Sequence, residues 1–195
     1  AVDFFRRALD DSHFHGVGFV FPCQAWEIRR AQTDARLPTT PTSGCIGGFV
    51  EGGFFSFSLR QCQVAFPEEC PAADSDIHCW EVFAVFAMFM LFPDSFAGVH
   101  LLVDIDNPGA AASVERQRGP SGRTDMQELI ELVVLLSIDI GCRLSSRKVV
   151  GKEIPEADAT SRKDTARFHE LLCIFVREQG YQHRPYCFCL DDAGG

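Results

Sequence analysis

Residues 33–59 read TDARLPTTPTSGCIGGFVEGGFFSFSL. Within them, 45–50 and 54–59 are two β-type runs separated by Glu51-Gly52-Gly53, a spacing that predicts a hairpin. Upstream, the polar stretch from Glu27 to Thr33 is a weakly specified first strand ending at Asp34. Downstream, residues 77–92 form an apolar run too long for a typical strand and rich in Ala, Met and Leu, which predicts a buried helix. Residues 99–106, VHLLVDID, read as a strand with Val99, Leu101, Val103 and Ile105 on one face and His100, Leu102, Asp104 and Asp106 on the other. A short helix over 110–116, a turn over 118–122, an amphipathic helix over 125–137, a strand over 142–150, a helix start at 155–162 and an amphipathic helix over 165–179 complete the pattern. The order of strand, hairpin, helix, strand, helices, strand and helix implies an α/β domain around a mixed sheet.

Composition agrees with one folded domain. The chain has 195 residues, 46% hydrophobic and 23% charged, enough to bury a core without a disulfide framework. The apolar run ending at Pro93 is well short of the ~20 residues that cross a bilayer, so no membrane partner is expected. The first residues lack the basic-then-apolar order of a secretory signal, and nine scattered cysteines fit a reducing compartment; the expected location is intracellular, cytoplasmic or nuclear, and not secreted. His183-x-x-x-Cys187-x-Cys189 has metal-like spacing but no fourth ligand at a recognisable distance, leaving a zinc-dependent module as a third-ranked reading. The formal charge of −9 opposes a broad phosphate-gripping face. Most of the acidic excess lies in the first 114 residues, so a polyanion would meet the second half, where Arg116, Arg118 and Arg123 form one basic group and Arg143, Arg147, Lys148 and Lys152 another.

Four carboxylates occupy unusual positions. Asp34 closes the first strand, Glu81 sits in the first turns of an apolar helix, Asp106 ends a strand, and Asp158 lies between Ala157 and Ala159. Buried together they would require bound cations or raised pKa values. Oxygen ligands of this kind hold Mg²⁺ or Mn²⁺, and two such ions can activate water and stabilise the leaving oxygen of a phosphodiester. Periodicity alone does not separate these four from the other acids, and Glu81 and Asp158 also fit the preference of carboxylates for helix N-termini. Trp80, Phe83, Phe86 and Phe89 read as core rather than as a base-stacking platform.

Four blocks, in order, resemble the ribonuclease H domain of retroelement polymerases, of the kind found in LTR and tyrosine-recombinase retrotransposons. Thr33-Asp34-Ala35 followed by Gly44-Cys-Ile-Gly-Gly-Phe-Val is similar to the family's "TDAS…G.GAVL" opening; Glu81-x-x-Ala84 resembles its "E..A" helix; Asp106-Asn107 its "TDN"; and Gly151-Lys-Glu-Ile-Pro-Glu-Ala-Asp158-Ala-Thr-Ser-Arg162 its "GK.N..AD.LSR" ending. The resemblance covers roughly residues 28–163. It implies a ribonuclease H-like fold with a mixed five-stranded sheet flanked by helices over 28–165, preceded by a connector from a polymerase region (1–27) and followed by a C-terminal helix and loose tail (166–195). It further implies that Asp34, Glu81, Asp106 and Asp158 are catalytic, metal-binding acids holding two Mg²⁺ or Mn²⁺ ions. The implied reaction is endonucleolytic cleavage of the RNA strand of RNA:DNA hybrids, with the reverse transcriptase of the same polyprotein as partner. Asn107, Arg143, Arg147, Lys148 and Lys152 are the candidate substrate contacts. Ile154 stands where the family carries Asn, Lys148-Val149-Val150 where it often has His and Pro, and Pro108-Gly109 makes a poor start for a helix. These departures keep a second expectation open, a catalytically inactive docking domain of the same fold.

Overall fold

Strand β1 (Glu27–Arg36) is the axis of the molecule. The computed structural model describes residues 27–37, 44–50, 53–72, 74–179 and 186–189. The N-terminal part of β1 is largely exposed, whereas from Ala31 to Ala35 all but Gln32, which is half-buried, are buried. The pairing explains this division. Glu27 to Thr33 runs parallel to β4 (Val99–Ile105), whereas antiparallel pairing to β2 (Cys45–Val50) begins only at Ala31. The charged residues Glu27, Arg29 and Arg30 therefore lie where the β2 side of the strand is unpaired.

β2 turns back into β3 (Gly53–Ser58), completing the hairpin. On the other side, β4 pairs in parallel with β5 (Arg143–Lys148). These five strands form the expected mixed sheet, and Tyr186–Cys189 adds a short sixth strand, β6, parallel to β3, giving the order β5-β4-β1-β2-β3-β6. The C-terminal tail is thus not entirely a loose end. His183 of the metal-like spacing and residues 1–26 of the connector expected over 1–27 lie outside the described residues, and Glu27 itself begins β1.

Alternation sorts the two faces of the sheet. Ala31, Ala35, Ile46, Phe55, Phe57, Leu101, Val103 and Ile105 pack on helix α2 (Ile77–Leu91), which is buried from Cys79 to Phe89. Its Trp80, Phe83, Phe86 and Phe89 all lie in this core, as expected. Two unpredicted elements flank it: α1 (Leu59–Ala65), closed at its start by a capping box between Ser58 and Gln61, and the single turn α3 (Pro93–Phe96). Helices α4 (Pro108–Arg116) and α5 (Thr124–Ile140) complete this layer. The start of α4 corrects the sequence reading. Pro108 occupies the first turn, where its missing N–H is no loss, and the Asn107 side chain accepts from the N–H groups of Gly109 and Ala110 at 2.9 and 3.1 Å.

The opposite face carries α6 (Pro155–Ser161) and α7 (Thr165–Gln179), where Phe49, Phe54, Ala159, Phe168 and Leu171 form a second cluster. Gly47 permits the close approach of α6, since a Cβ there would sit 2.5 Å from the backbone nitrogen of Ser161. Ile154, the departure from the family pattern, is fully buried with Val149 and Ala157, so apolar packing holds the loop before α6. Among the described residues no helix is long and apolar enough to cross a membrane.

Candidate active site

The register of β1 and β4 builds the site. Gln32 is level with Asp104 and Thr33 with Ile105, so one further step along each strand brings Asp34 and Asp106 side by side on one face. Glu81 arrives from the second turn of α2, where its Oε1 accepts the Ala35 backbone N–H at 3.2 Å. Each of the three offers a carboxylate oxygen, and these oxygens lie within 4.8 Å of one another. Asp34 and Glu81 are 2% and 1% exposed, beyond the reach of bulk water.

Such an arrangement opposes itself electrostatically. At 4.8 Å two unit charges repel by about 3 to 4 kcal/mol at an effective dielectric near 20. Burial pushes the Asp34 carboxyl up to about 6; the hydrogen bond from Ser161 opposes this rise, and the charge of Asp106 adds to it. Burial also raises the Glu81 carboxyl well above its ordinary range, and the neighbouring Asp34 and Asp106 push it the same way. The second oxygen of Glu81, Oε2, is buried without a hydrogen-bond partner. A hard cation would relieve both the repulsion and the orphaned oxygen, and oxygen donors alone suit Mg²⁺ or Mn²⁺.

Asp158, the fourth expected acid, is disposed differently. Its Oδ1 lies 2.6 Å from Arg36 Nη2, and both of its oxygens lie 2.8 Å from Arg162 Nε. It stands apart from the three-acid group and already carries two cationic partners. Ser161, from the same helix, donates its hydroxyl proton to Asp34 Oδ2, with the Asp158 carbonyl oxygen 3.0 Å from the same hydroxyl, tying α6 to β1. Arg36, Ser161 and Arg162 were not singled out from the sequence, although spacing could have found them: Arg36 is two residues from Asp34 on the same strand face, and Arg162 is one helical turn after Asp158.

The expected substrate contacts divide as well. Arg143, Lys148 and Lys152 are exposed along β5 and the turn after it, and Gly151 in that turn lies against Asp106, its notional Cβ 3.4 Å from Oδ2. Arg147 is engaged with buried Asp104, at 2.5 and 3.1 Å, which also accounts for that fifth acid. Asn107 is committed to capping α4. In the other basic group, Arg116 and Arg118 line an open depression between α4 and the following turn, whereas Arg123 binds Asp76 and Asp125 at the starts of α2 and α5.

No family model and no curated protein matches the sequence. Among solved structures, the fold is similar to that of ribonuclease H1 from the halophilic archaeon Halobacterium salinarum NRC-1, at 13% identity and a TM-score of 0.50, covering 69% of this chain and 94% of that one. It is also similar to LC11-RNase H1, solved in complex with an RNA/DNA hybrid, at 12% identity and a TM-score of 0.52, covering 71% of this chain and 98% of that one. The chain has the ribonuclease H-like α/β fold, with its acidic cluster at the end of the two central parallel strands.

Proposed function

We propose that this chain is a metal-dependent ribonuclease H that hydrolyses the RNA strand of RNA:DNA hybrids, as a domain of a retroelement polyprotein working beside its reverse transcriptase inside the cell. The observation that carries the reading is the Asp34-Glu81-Asp106 group, in which Asp34 and Glu81 are buried, Asp106 is half-buried and one Glu81 oxygen is orphaned. The fold supports it, and the four sequence blocks supply the retroelement context.

Asp34, Glu81 and Asp106 would hold the cation, which supplies positive charge at the scissile phosphate and makes water a better nucleophile. The residues of the chain do the positioning. The Ala35 N–H fixes one oxygen of Glu81 and leaves the other facing the acids, while Ser161 orients Asp34. Lys148 and Lys152 offer phosphate contacts at the Asp106 end of β5, and Arg143, level with His100, offers one at the far end of the same strand, suited to a duplex recognised through its backbone and 2′-hydroxyls. With a formal charge of −9 the domain gains affinity from a tethered polymerase, because linkage raises effective concentration. The second reading, a silent docking domain, is favoured by the engagement of Asp158 with two arginines.

Cleavage of a labelled RNA:DNA hybrid in Mg²⁺ and in Mn²⁺ separates the two. The expected result is cleavage by the wild type that falls at least a hundredfold in Asp106→Asn, consistent with removal of electrostatic stabilisation worth ~3 kcal/mol. Equal products from both proteins would exclude this site. A folded wild type that is inactive alone and beside its polymerase would favour the docking domain.

A further inference from the structure

We propose that the Arg36 guanidinium is a built-in cation of this site, taking the place of a second metal ion, so that the chain binds one divalent ion between Asp34, Glu81 and Asp106. The inference rests on the metal-dependent reading above and changes its stoichiometry, since the family resemblance implies two ions.

Three observations carry it. Arg36 spans Asp34 and Asp158, the one expected acid outside the three-acid group and so the remaining carboxylate for a further ion, with Nη2 2.6 Å from Asp158 Oδ1 and Nε 3.8 Å from Asp34 Oδ2. The backbone directs its side chain to the site, because Arg36 follows Asp34 by two residues on β1 and shares its face, and the two contacts then hold the guanidinium there. Its Nε is itself buried without a hydrogen-bond acceptor, facing the cluster's charge without donating to it. A guanidinium cannot shed its charge to make room for an ion, and Asp158 is further neutralised by Arg162. The three-acid group is different. Glu81, 1% exposed, keeps Oε2 unpartnered there, and no arginine pairs with Glu81 or Asp106 among the described residues.

Binding of Mn²⁺ to the full chain at neutral pH, followed by the paramagnetic resonance signal of the free ion, counts the sites. The expected count is one ion for the wild type, one for Arg36→Lys, and two for Arg36→Ser and Arg36→Gln. Circular dichroism establishes that each variant is folded; the wild-type count alone keeps the test decisive if the uncharged variants do not fold. Two ions in the wild type, or one ion in folded Arg36→Ser, would overturn the inference and leave the metal-dependent reading standing. A folded wild type that binds no Mn²⁺ would remove that reading and the inference together.

Discussion

Ala35 and Glu81 are joined by a hydrogen bond of 3.2 Å from the strand N–H to the helix carboxylate, and this contact holds an acid inside a protein core beside two others. Without a cation, Glu81 is a burden on the fold. Glu81→Gln keeps an acceptor for Ala35 and replaces the repelling oxygen with an amide that can donate to Asp34 or Asp106. Metal-free Glu81→Gln is expected to melt above metal-free wild type by roughly 2–4 °C for each kcal/mol gained, and to lose most of the stabilisation by millimolar Mg²⁺ that the wild type shows. Calorimetry in chelator and in Mg²⁺ checks both; a lower melting temperature for the variant in chelator would mean that Glu81 stabilises the fold by itself.

The same burial gives stability a pH dependence of unusual sign. Burial raises the Asp34 carboxyl from an ordinary 3.8 to about 6. The folded state therefore binds this proton more tightly than the unfolded chain, and stability from this group is present below the unfolded value and lost as pH rises through about 6. The difference corresponds to an upper bound of about 3 kcal/mol, and Glu81 acts in the same direction. Urea unfolding of the metal-free protein from pH 4 to 7.5 is expected to show this loss, reduced by Asp34→Asn and by saturating Mg²⁺. A wild-type profile that matches that of Asp34→Asn would show that the site does not raise this carboxyl.

Gly47 connects packing to the site. An added methyl group would meet Thr160 and the Ser161 backbone, atoms that cannot move without displacing α6 from the sheet. Gly47→Ala is expected to destabilise the fold by about 1–3 kcal/mol or more and to lower metal affinity by loosening Ser161 from Asp34. Denaturant midpoints and Mn²⁺ titration measure the two effects; full stability and full affinity in the variant would exclude this coupling.

Much of this arrangement was legible in the sequence because strand and helix periods determine it. The faces of β4, the hairpin and the apolar α2 follow from alternation and run length, and a parallel β1–β4 register brings Asp34 and Asp106 together. What the periods do not encode is the reach of long side chains and the pairing of segments far apart. Asp158 resembles the other acids in the sequence because its partner from across the sheet, Arg36, becomes visible only when α6 is placed on β1, whereas Arg162, one helical turn further along, is within reach of spacing alone. Ile154 looked like a defect in a polar motif, yet the apolar cluster of Val149 and Ala157 is what it fills. The polar start of β1 suggested a weak strand because propensity describes a residue and not how many neighbouring strands it has. α1 carries a signal of its own in the sequence, the Ser58-x-x-Gln61 capping box.

Charge engagement also sorts the residues proposed to touch the hybrid. Arg147 is held by two contacts to Asp104, a buried acid that would lose its partner on truncation. Lys148 and Lys152 are exposed and form no ion pair among the described residues. Lys148→Ala and Lys152→Ala are therefore expected to weaken hybrid binding and to reduce the slope of log affinity against log salt by about one each if each meets one phosphate, with the melting temperature unchanged. Arg147→Ala is expected to do the reverse, lowering stability by about 1–3 kcal/mol through the unsatisfied Asp104 and leaving the salt slope nearly constant. Fluorescence anisotropy of a hybrid across salt, with a thermal melt of each variant, tests the division. An Arg147→Ala protein that keeps its stability but loses a unit of salt slope would reverse it, because the arginine would then leave Asp104 to bind the nucleic acid.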